Sequence, residues 1–227
     1  MPATPPAGAG RGAQGSFATN SNGGLRRYER RALTAWPGPP PGPLASPGVA
    51  AFDVVFLDRD GTINEKAPDG DYVSSPGSLR LLPGAAAAIA AVNASGADVV
   101  VVTNQRGVAL GRMSATDVLA VNDQLDRLLA AHGARVDAYY VCPHEAGSCD
   151  CRKPLPGLVL RALADRPGSV ASRCVLVGDA ESDVEAGLAA GTRAVRLAPE
   201  GTPTRAEVCR PDLAAAVAAL LGASGGR

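Results

Sequence analysis

The sequence predicts an α/β fold in which a Rossmann-like parallel sheet carries helices on both faces. Short runs of β-branched residues alternate along the chain with alanine- and leucine-rich segments of helical length. The runs are apolar throughout, as expected for strands that are covered on both sides. In such a sheet, ligands bind beyond the carboxyl ends of the strands, near the point where the strand order reverses. Functional residues are therefore expected directly after the predicted strands.

Five strands and five helices are predicted between residues 51 and 227. The strands are expected at 52–57, 98–102, 136–141, 174–177 and 193–197. The helices are expected at 84–95, 115–132, 156–166, 181–190 and 213–221. Ser114 and Asp117 resemble a capping box that begins helix 115–132, with aspartate in the position usually taken by glutamate.

Composition divides the chain into two parts and limits its partners. Residues 1–50 are rich in proline, glycine and alanine, and we expect a disordered extension because they can bury little apolar surface. Residues 51–227 are expected to form one domain. The chain has 22 basic and 22 acidic residues, so neither nucleic acid nor a membrane surface is an expected partner. It lacks the apolar stretch of a secretory signal, and we expect a cytoplasmic monomer.

Carboxylates follow the first and the fourth predicted strands. Asp58 and Asp60 come directly after strand 52–57, and residues two apart in an extended chain point to the same side. Asp179 closely follows strand 174–177, and Asp183 lies near the start of the next helix. Neighbouring carboxylates repel each other unless a cation lies between them or one is protonated. Each pair alone also fits a solvated loop or a helix N-terminus, where acids are common.

A hydroxyl and two cations lie at other predicted strand ends. Thr103 follows the second strand and can donate to a phosphoryl oxygen, although a lone threonine is usually a turn residue. Arg152 and Lys153 lie between the third and fourth strands, where such a pair is usually solvated. Lysine occurs only at Lys66 and Lys153, in a chain that otherwise uses arginine. An ammonium is a compact point charge, unlike the planar guanidinium, so this choice indicates a specific need.

Three cysteines and one histidine lie within ten residues, namely Cys142, His144, Cys149 and Cys151. Thiolates and imidazole are the ligands of tetrahedral structural zinc, so this stretch predicts a zinc-binding loop. Unrelated buried cysteines are the alternative, whereas an odd total of five argues against a disulfide framework. The stretch leads directly into Arg152 and Lys153, so a bound metal would hold both cations in place.

The order of these groups resembles the four motifs of the haloacid dehalogenase superfamily. The motifs are Asp-x-Asp-Gly-Thr at 58–62, the threonine at 103, the lysine at 153 and Gly-Asp-x-x-x-Asp at 178–183. The cysteine-rich loop and Arg-Lys-Pro-x-Pro-Gly at 152–157 narrow the resemblance to heptose bisphosphate phosphatases and histidinol phosphatases. Tyr-Val at 72–73 and Tyr-Tyr at 139–140 are more similar to the heptose branch. The resemblance extends from about residue 52 to residue 197.

The resemblance implies a Mg²⁺-dependent phosphatase that acts on a phosphorylated sugar. The expected reaction is removal of the 7-phosphate of D-glycero-D-manno-heptose 1,7-bisphosphate. Asp58 would be the nucleophile, Asp60 the general acid and base, and Thr103 and Lys153 would stabilise the phosphoryl oxygens. Mg²⁺ would be bound by Asp58, Asp179 and the backbone carbonyl of Asp60, with Asp183 behind them. Substrate binding would involve Thr103, Asn104, Gln105, Arg152 and Lys153. Zinc would be bound by Cys142, His144, Cys149 and Cys151.

Two alternatives to this function are considered. The first is a phosphatase that acts on histidinol phosphate, and the second is a non-catalytic domain stabilised by zinc. Little sequence lies between the motifs apart from the cysteine-rich loop, so we expect no large cap domain. The segment between Asn64 and Tyr72 is longer than heptose phosphatases usually have, and it lies where substrate would be contacted. We also expect the carboxylates of Asp58, Asp60 and Asp179 to surround one divalent cation, with the Lys153 ammonium facing them.

Overall fold

The computed structural model of the protein describes residues 28–29 and 52–222 of the 227-residue chain. Its strands are β1 (Tyr28–Glu29), β2 (Val54–Leu57), β3 (Asp98–Asn104), β4 (Ala138–Cys142), β5 (Cys174–Gly178), β6 (Arg193–Leu197) and β7 (Val208–Arg210). Its helices are α1 (Ala85–Ala94), α2 (Ala115–Ala130), α3 (Gly157–Ala164), α4 (Glu181–Ala189) and α5 (Leu213–Gly222). None of these helices has the combination of length and apolar character that crossing a membrane requires.

The described strands form one sheet in the order β1-β4-β3-β2-β5-β6-β7. Strands β2 to β7 are parallel to their neighbours, and β1 pairs antiparallel with the edge of β4. The chain builds outward from β2 to β3 and β4 on one side, and then from β5 to β7 on the other. The strand order therefore reverses between β2 and β5, and ligands of such sheets bind at this point.

Each face of the sheet carries an apolar core, because successive side chains of a strand point to opposite sides. Val55 and Leu57 of β2 pack on one face in a core to which α1, α2 and α5 contribute. Val54 and Phe56 pack on the other face, where Leu158 of α3 joins them. All five side chains are almost completely buried. Helices cover both faces, as predicted, and no cap domain is inserted within residues 52–222, so the carboxyl edge of the sheet stays open.

The five predicted strands and the five predicted helices are all present, with ends that differ by a few residues. The capping box of α2 is confirmed. The Ser114 hydroxyl oxygen accepts from the Asp117 backbone N–H at 3.1 Å, and Asp117 Oδ2 accepts from the Ser114 N–H at 2.7 Å. The two interactions satisfy N–H groups that a helix start otherwise leaves without a partner.

Two short strands were not predicted. β7 has three residues, too few for a periodic pattern, and it pairs with β6 at the edge of the sheet. β1 lies inside the stretch predicted to be disordered, where Tyr28 pairs with Tyr139 and Glu29 with Ala138. The exposed edge of β4 offers unpaired backbone groups that explain this addition. The rest of the predicted extension, residues 1–50, lies outside the described residues.

Candidate active site

A backbone hydrogen bond holds Asp58 at the centre of the sheet. Asp58 directly follows β2, and its backbone N–H donates to the Val177 carbonyl of β5 at 3.0 Å. Its carboxylate faces Asp179 from the turn after β5 and Asp183 from the first turn of α4, so that one oxygen of each of the three acids lies within 4.8 Å of the others. Burial raises the pKa of Asp58 to about 7, against the opposing effect of the Lys153 ammonium.

Lys153 is the buried cation of this cluster, with only 4% of its surface exposed. Its Nζ lies 2.7 Å from Asp58 Oδ1 and 2.6 Å from Asp183 Oδ1, and it donates to the Val102 carbonyl at 2.8 Å. Burial alone would lower the pKa of Lys153, but the Asp183 and Asp58 carboxylates outweigh burial and raise it. The three acceptors hold the ammonium charged at the carboxyl edge of the sheet.

Asp183 is fixed from two sides. Its Oδ1 contacts Lys153, and its Oδ2 accepts from the Ala180 N–H at 3.0 Å at the start of α4. The carboxylate packs so closely against β5 that a Cβ atom at Gly178 would lie 2.3 Å from Asp183 Oδ2. Glycine at position 178 is therefore required for this carboxylate to reach the lysine.

The surroundings of Asp179 fit a metal ion. Its Oδ1 is buried and has no hydrogen-bond partner among the described residues, which is rare for a buried carboxylate oxygen. Its Oδ2 contacts the Nζ of Lys66. Burial disfavours the charge of Lys66, but Asp179 outweighs it and raises the pKa of the lysine. Three convergent carboxylates, one with an unsatisfied oxygen, suit a hard divalent cation such as Mg²⁺.

The structure differs from the sequence-based expectation at Asp60. Its carboxylate is not grouped with Asp58 and Asp179, although it lines the same crevice. Asp60 Oδ1 accepts from Asn64 Nδ2 at 2.8 Å, and its Oδ2 accepts from Gln105 Nε2 at 2.8 Å. Arg59 Nη2 donates to both oxygens, at 3.1 and 3.0 Å. The Arg59 side chain is fully buried and needs a partner for its charge, which explains the orientation of Asp60.

The three polar residues at the carboxyl end of β3 have different surroundings. Thr103 Oγ1 accepts from Gln105 Nε2 at 2.9 Å, so the proton of the threonine hydroxyl is directed elsewhere. The Asn104 amide makes two hydrogen bonds of 3.1 Å with the backbone N–H and C=O of Lys153. Arg152 donates to the His144 carbonyl at 3.4 Å. Asn104 and Gln105 thus form hydrogen bonds with other residues of the site, whereas the family resemblance implied contacts with the substrate.

Two crevices open at this edge of the sheet. The acid crevice is lined by Asp58, Asp60, Lys66, Thr103, Asn104, Lys153, Asp179, Ala180, Ser182 and Asp183. The loop crevice is lined by residues 66–73 together with Asp60, Asn104 and Gln105. Asp60, Lys66 and Asn104 line both, so the two crevices adjoin. Among the predicted substrate-binding residues, Arg152 is the one that lines neither crevice.

The three cysteines and the histidine come together in the loop after β4. Cys142 Sγ lies 3.6 Å from His144 Nδ1 and 3.7 Å from Cys149 Sγ, and Cys151 Sγ lies 3.3 and 3.4 Å from the same two atoms. Tetrahedral zinc with Zn–S and Zn–N distances of about 2.3 and 2.0 Å separates its ligands by about 3.5–3.8 Å. Hydrogen bonding with Cys142, opposed by burial, lowers the pKa of Cys151 to about 5. The set fits zinc in both spacing and chemistry.

Several residues of the site have no clear signal in the sequence. Arg59 occupies the variable position of the first motif, and Asn122 of α2, which accepts from Arg59 Nη1 at 3.0 Å, lies 63 residues away. Asn64 and Lys66 follow the motif closely, yet nothing in their spacing indicates which acid each contacts. The scarcity of lysine is the one signal that singles out Lys66.

A Rossmann-like sheet with this set of residues at its carboxyl edge defines a phosphatase of the haloacid dehalogenase class. The comparisons with known proteins agree with this class. The family model HAD-hydrolase-like matches residues 150–219. The chain is 46% identical over 132 residues to D-glycero-alpha-D-manno-heptose-1,7-bisphosphate 7-phosphatase of Mycobacterium tuberculosis, covering 58% of this chain and 69% of that protein.

Two matches from Bordetella bronchiseptica cover a larger share of both chains. Its D-glycero-beta-D-manno-heptose-1,7-bisphosphate 7-phosphatase is 37% identical over 179 residues, covering 74% of this chain and 97% of that protein. The crystal structure of D,D-heptose 1,7-bisphosphate phosphatase from B. bronchiseptica, complexed with magnesium and phosphate, superposes with a TM-score of 0.67 at 36% identity. It covers 76% of this chain and 99% of the solved chain. The chain belongs to the D,D-heptose 1,7-bisphosphate phosphatase family and is a phosphoric monoester hydrolase.

Proposed function

We propose that the protein removes the 7-phosphate of D-glycero-D-manno-heptose 1,7-bisphosphate in a Mg²⁺-dependent reaction. The observation that carries the proposal is the convergence of Asp58, Asp179, Asp183 and Lys153 in a chain whose relatives are heptose bisphosphate phosphatases. The open carboxyl edge, without a cap domain in residues 52–222, leaves room for a phosphorylated seven-carbon sugar.

Asp58 is the proposed nucleophile. One of its oxygens attacks phosphorus in line, the bond from phosphorus to the sugar oxygen breaks, and an aspartyl-phosphate forms. Its position at the end of the central strand, tied to Val177, supports this role because the attacking atom is held at a fixed place. Water then attacks phosphorus, releases inorganic phosphate and restores the carboxylate.

Asp60 is the proposed general acid and base. It lines the same crevice as Asp58, so it can give a proton to the leaving sugar oxygen and later accept one from the attacking water. In the substrate-free protein its oxygens accept from Arg59, Asn64 and Gln105. Each oxygen of the Asp60 carboxyl group therefore has to give up one of these donors before it can contact the leaving oxygen of the substrate.

Thr103 and Lys153 are the proposed ligands of the equatorial phosphoryl oxygens. Thr103 Oγ1 accepts from Gln105, so its proton is free to point into the acid crevice. Lys153 lies beside the nucleophile and keeps its charge despite burial. Preorganised donors at the phosphoryl group supply most of the stabilisation in this type of transfer.

We infer that Asp58 and Asp179 bind Mg²⁺, with Asp183 behind them in contact with Lys153. The unsatisfied Oδ1 of Asp179 supports this assignment. When bound, Mg²⁺ neutralises charge on the phosphate and on the carboxylates around it. We also infer a structural zinc ion at Cys142, His144, Cys149 and Cys151, supported by the distances between their ligand atoms.

The test is phosphate release from heptose 1,7-bisphosphate and from histidinol phosphate, each with Mg²⁺. We expect kcat/KM to favour the heptose compound by about a hundredfold or more, a difference that binding contacts can supply. ³¹P NMR should show loss of the 7-phosphate signal while the 1-phosphate remains. Asp58→Asn should abolish turnover with an unchanged circular dichroism spectrum. Near-normal release by Asp58→Asn would refute the nucleophile, and a preference for histidinol phosphate would refute the substrate.

A further inference from the structure

Lys66 lies where the acid crevice and the loop crevice meet. Its ammonium contacts Asp179 Oδ2, and its side chain is 55% exposed. Its stem crosses Gly61, where a Cβ atom would lie 2.4 Å from Lys66 Cε. Gly61 also has a φ of +89°, which glycine adopts readily. The absence of a side chain at position 61 thus opens the path by which Lys66 reaches the acids.

The loop crevice needs a cation if it is to accept a phosphate. Among the residues that line it, the charged ones are Asp60, Asp69, Asp71 and Lys66. Asp60 is paired with Arg59, whereas no ion pair of Asp69 or Asp71 is found in the described part of the chain. A phosphate dianion entering this crevice would therefore meet carboxylates, with Lys66 as the one lysine or arginine in its lining.

A divalent cation at Asp179 would release Lys66 from its present partner. Both would compete for the Asp179 carboxylate, and a dication repels an ammonium strongly at contact distance. Lysine has a flexible four-carbon stem, so its ammonium can move several ångströms without a change of backbone. The other space that Lys66 borders is the loop crevice.

We propose that Lys66 binds the second, non-reacting phosphate of the substrate after a divalent cation has displaced its ammonium from Asp179. The proposal rests on the proposed function, because a bisphosphate substrate places one phosphate at Asp58 and must place the other outside the acid crevice. Lys66 is then a specificity residue: it favours bisphosphates over monophosphates, and only in the metal-loaded protein.

The first experiment follows Lys66 itself. The chain has two lysines, and Lys153 is buried with three acceptors, so amine acetylation followed by peptide mass spectrometry reports on Lys66. The full chain is acetylated without divalent cations and with Mg²⁺, at equal ionic strength. We expect Mg²⁺ to accelerate acetylation of Lys66 about tenfold, since only the neutral amine is acetylated and an ammonium released from a carboxylate loses its proton more readily. An unchanged or slower rate would overturn the displacement step.

The second experiment measures specificity with Lys66→Gln. Loss of a charged phosphate contact should raise KM for heptose 1,7-bisphosphate about tenfold or more. The rise for heptose 7-phosphate should be at least about fivefold smaller, because that compound lacks the second phosphate. Lys66→Arg should recover part of the loss, since guanidinium also binds phosphate. Arg135→Gln is the matched control: Arg135 is exposed, paired with Asp137 alone, and outside both crevices.

Equal KM increases on the two heptose phosphates would overturn the specificity role while leaving the proposed function intact. Failure of the wild-type protein to hydrolyse heptose 1,7-bisphosphate would instead overturn the proposed function, and with it this inference. The half-exposed position of Lys66 leaves the core untouched, so its variants should melt within about 2 °C of the wild type.

Discussion

Gln105 joins two side chains that the proposed reaction uses. Its buried amide donates to Asp60 Oδ2 at 2.8 Å and to Thr103 Oγ1 at 2.9 Å. The first contact orients the proposed acid and base, and the second determines where the threonine proton points. The family resemblance implied that Gln105 is a substrate ligand. It could not show these contacts, because both depend on the direction of a side chain.

Gln105→Met removes both hydrogen bonds and keeps the volume of the side chain. We expect kcat for phosphate release to fall about tenfold or more, because Asp60 and Thr103 lose their orientation. KM should change less than kcat, because Gln105 is not the group that binds the reacting phosphate. Gln124→Met is the control, since Gln124 lies on α2 and accepts from Arg127. A variant with wild-type kcat would remove Gln105 from the proposed mechanism.

Arg59 shows where residue-level prediction fails. An arginine between two aspartates in a loop is ordinarily solvated, yet Arg59 is fully buried and bound to Asp60 and Asn122. Asp60 compensates the buried charge, and the second partner, Asn122, lies on α2, 63 residues away in sequence. By contrast, Lys153, Asp58 and Asp179 come together as expected, because a parallel sheet gathers the carboxyl ends of its strands at one edge.

At the scale of elements, the loop between β4 and α3 connects the cysteine cluster to the site. Cys142 is the last residue of β4, and Cys151 lies two residues before Lys153. The Asn104 side chain binds the Lys153 backbone from the neighbouring strand. The clustering of the three cysteines and the histidine was predictable from residue types and spacing alone, whereas the support from Asn104 was not. A metal ion in this loop would therefore act on the reaction by fixing the Lys153 backbone.

Cys149→Ser should reduce the zinc content of the purified protein and lower kcat, while the sheet survives. The sheet is stabilised by its two cores, so far-UV circular dichroism should change little. Zinc is measured by atomic absorption alongside the phosphate-release rate. Cys209→Ser, at an edge strand outside the cluster, should retain zinc and activity. Collapse of the sheet, or full activity without zinc, would contradict the proposed role of the loop.

At the scale of the whole molecule, the site concentrates negative charge at one edge of a neutral chain. Asp58, Asp179 and Asp183 converge there, and two lysines balance them only in part. The α/β fold and the direction of its strands followed from alternation in the sequence. The strand order, which creates the crevice between β2 and β5, was not predicted, because alternation along the chain does not say which strands are neighbours.

Mg²⁺ should stabilise the folded chain, because its proposed ligands are carboxylates that converge only in the native state. At a free concentration of about 100 times its Kd, the gain is about 2.7 kcal/mol. For a chain of this size, we expect the melting temperature to rise by roughly 5–10 °C in differential scanning fluorimetry. Potassium chloride of equal ionic strength should not reproduce the shift. Asp179→Asn should lose most of it, and a full shift in that variant would exclude Asp179 as a ligand.

The central place of β2 determines how this enzyme loses activity on heating. All four of its residues are paired on both sides, with β3 and β5, and the Asp58 amide is bound to Val177. Amides in such a position exchange with solvent deuterium only when the sheet opens as a whole, whereas edge strands such as β7 fray locally. Partial fraying therefore leaves the attacking carboxylate in place, and heat inactivation should follow the same curve as global unfolding.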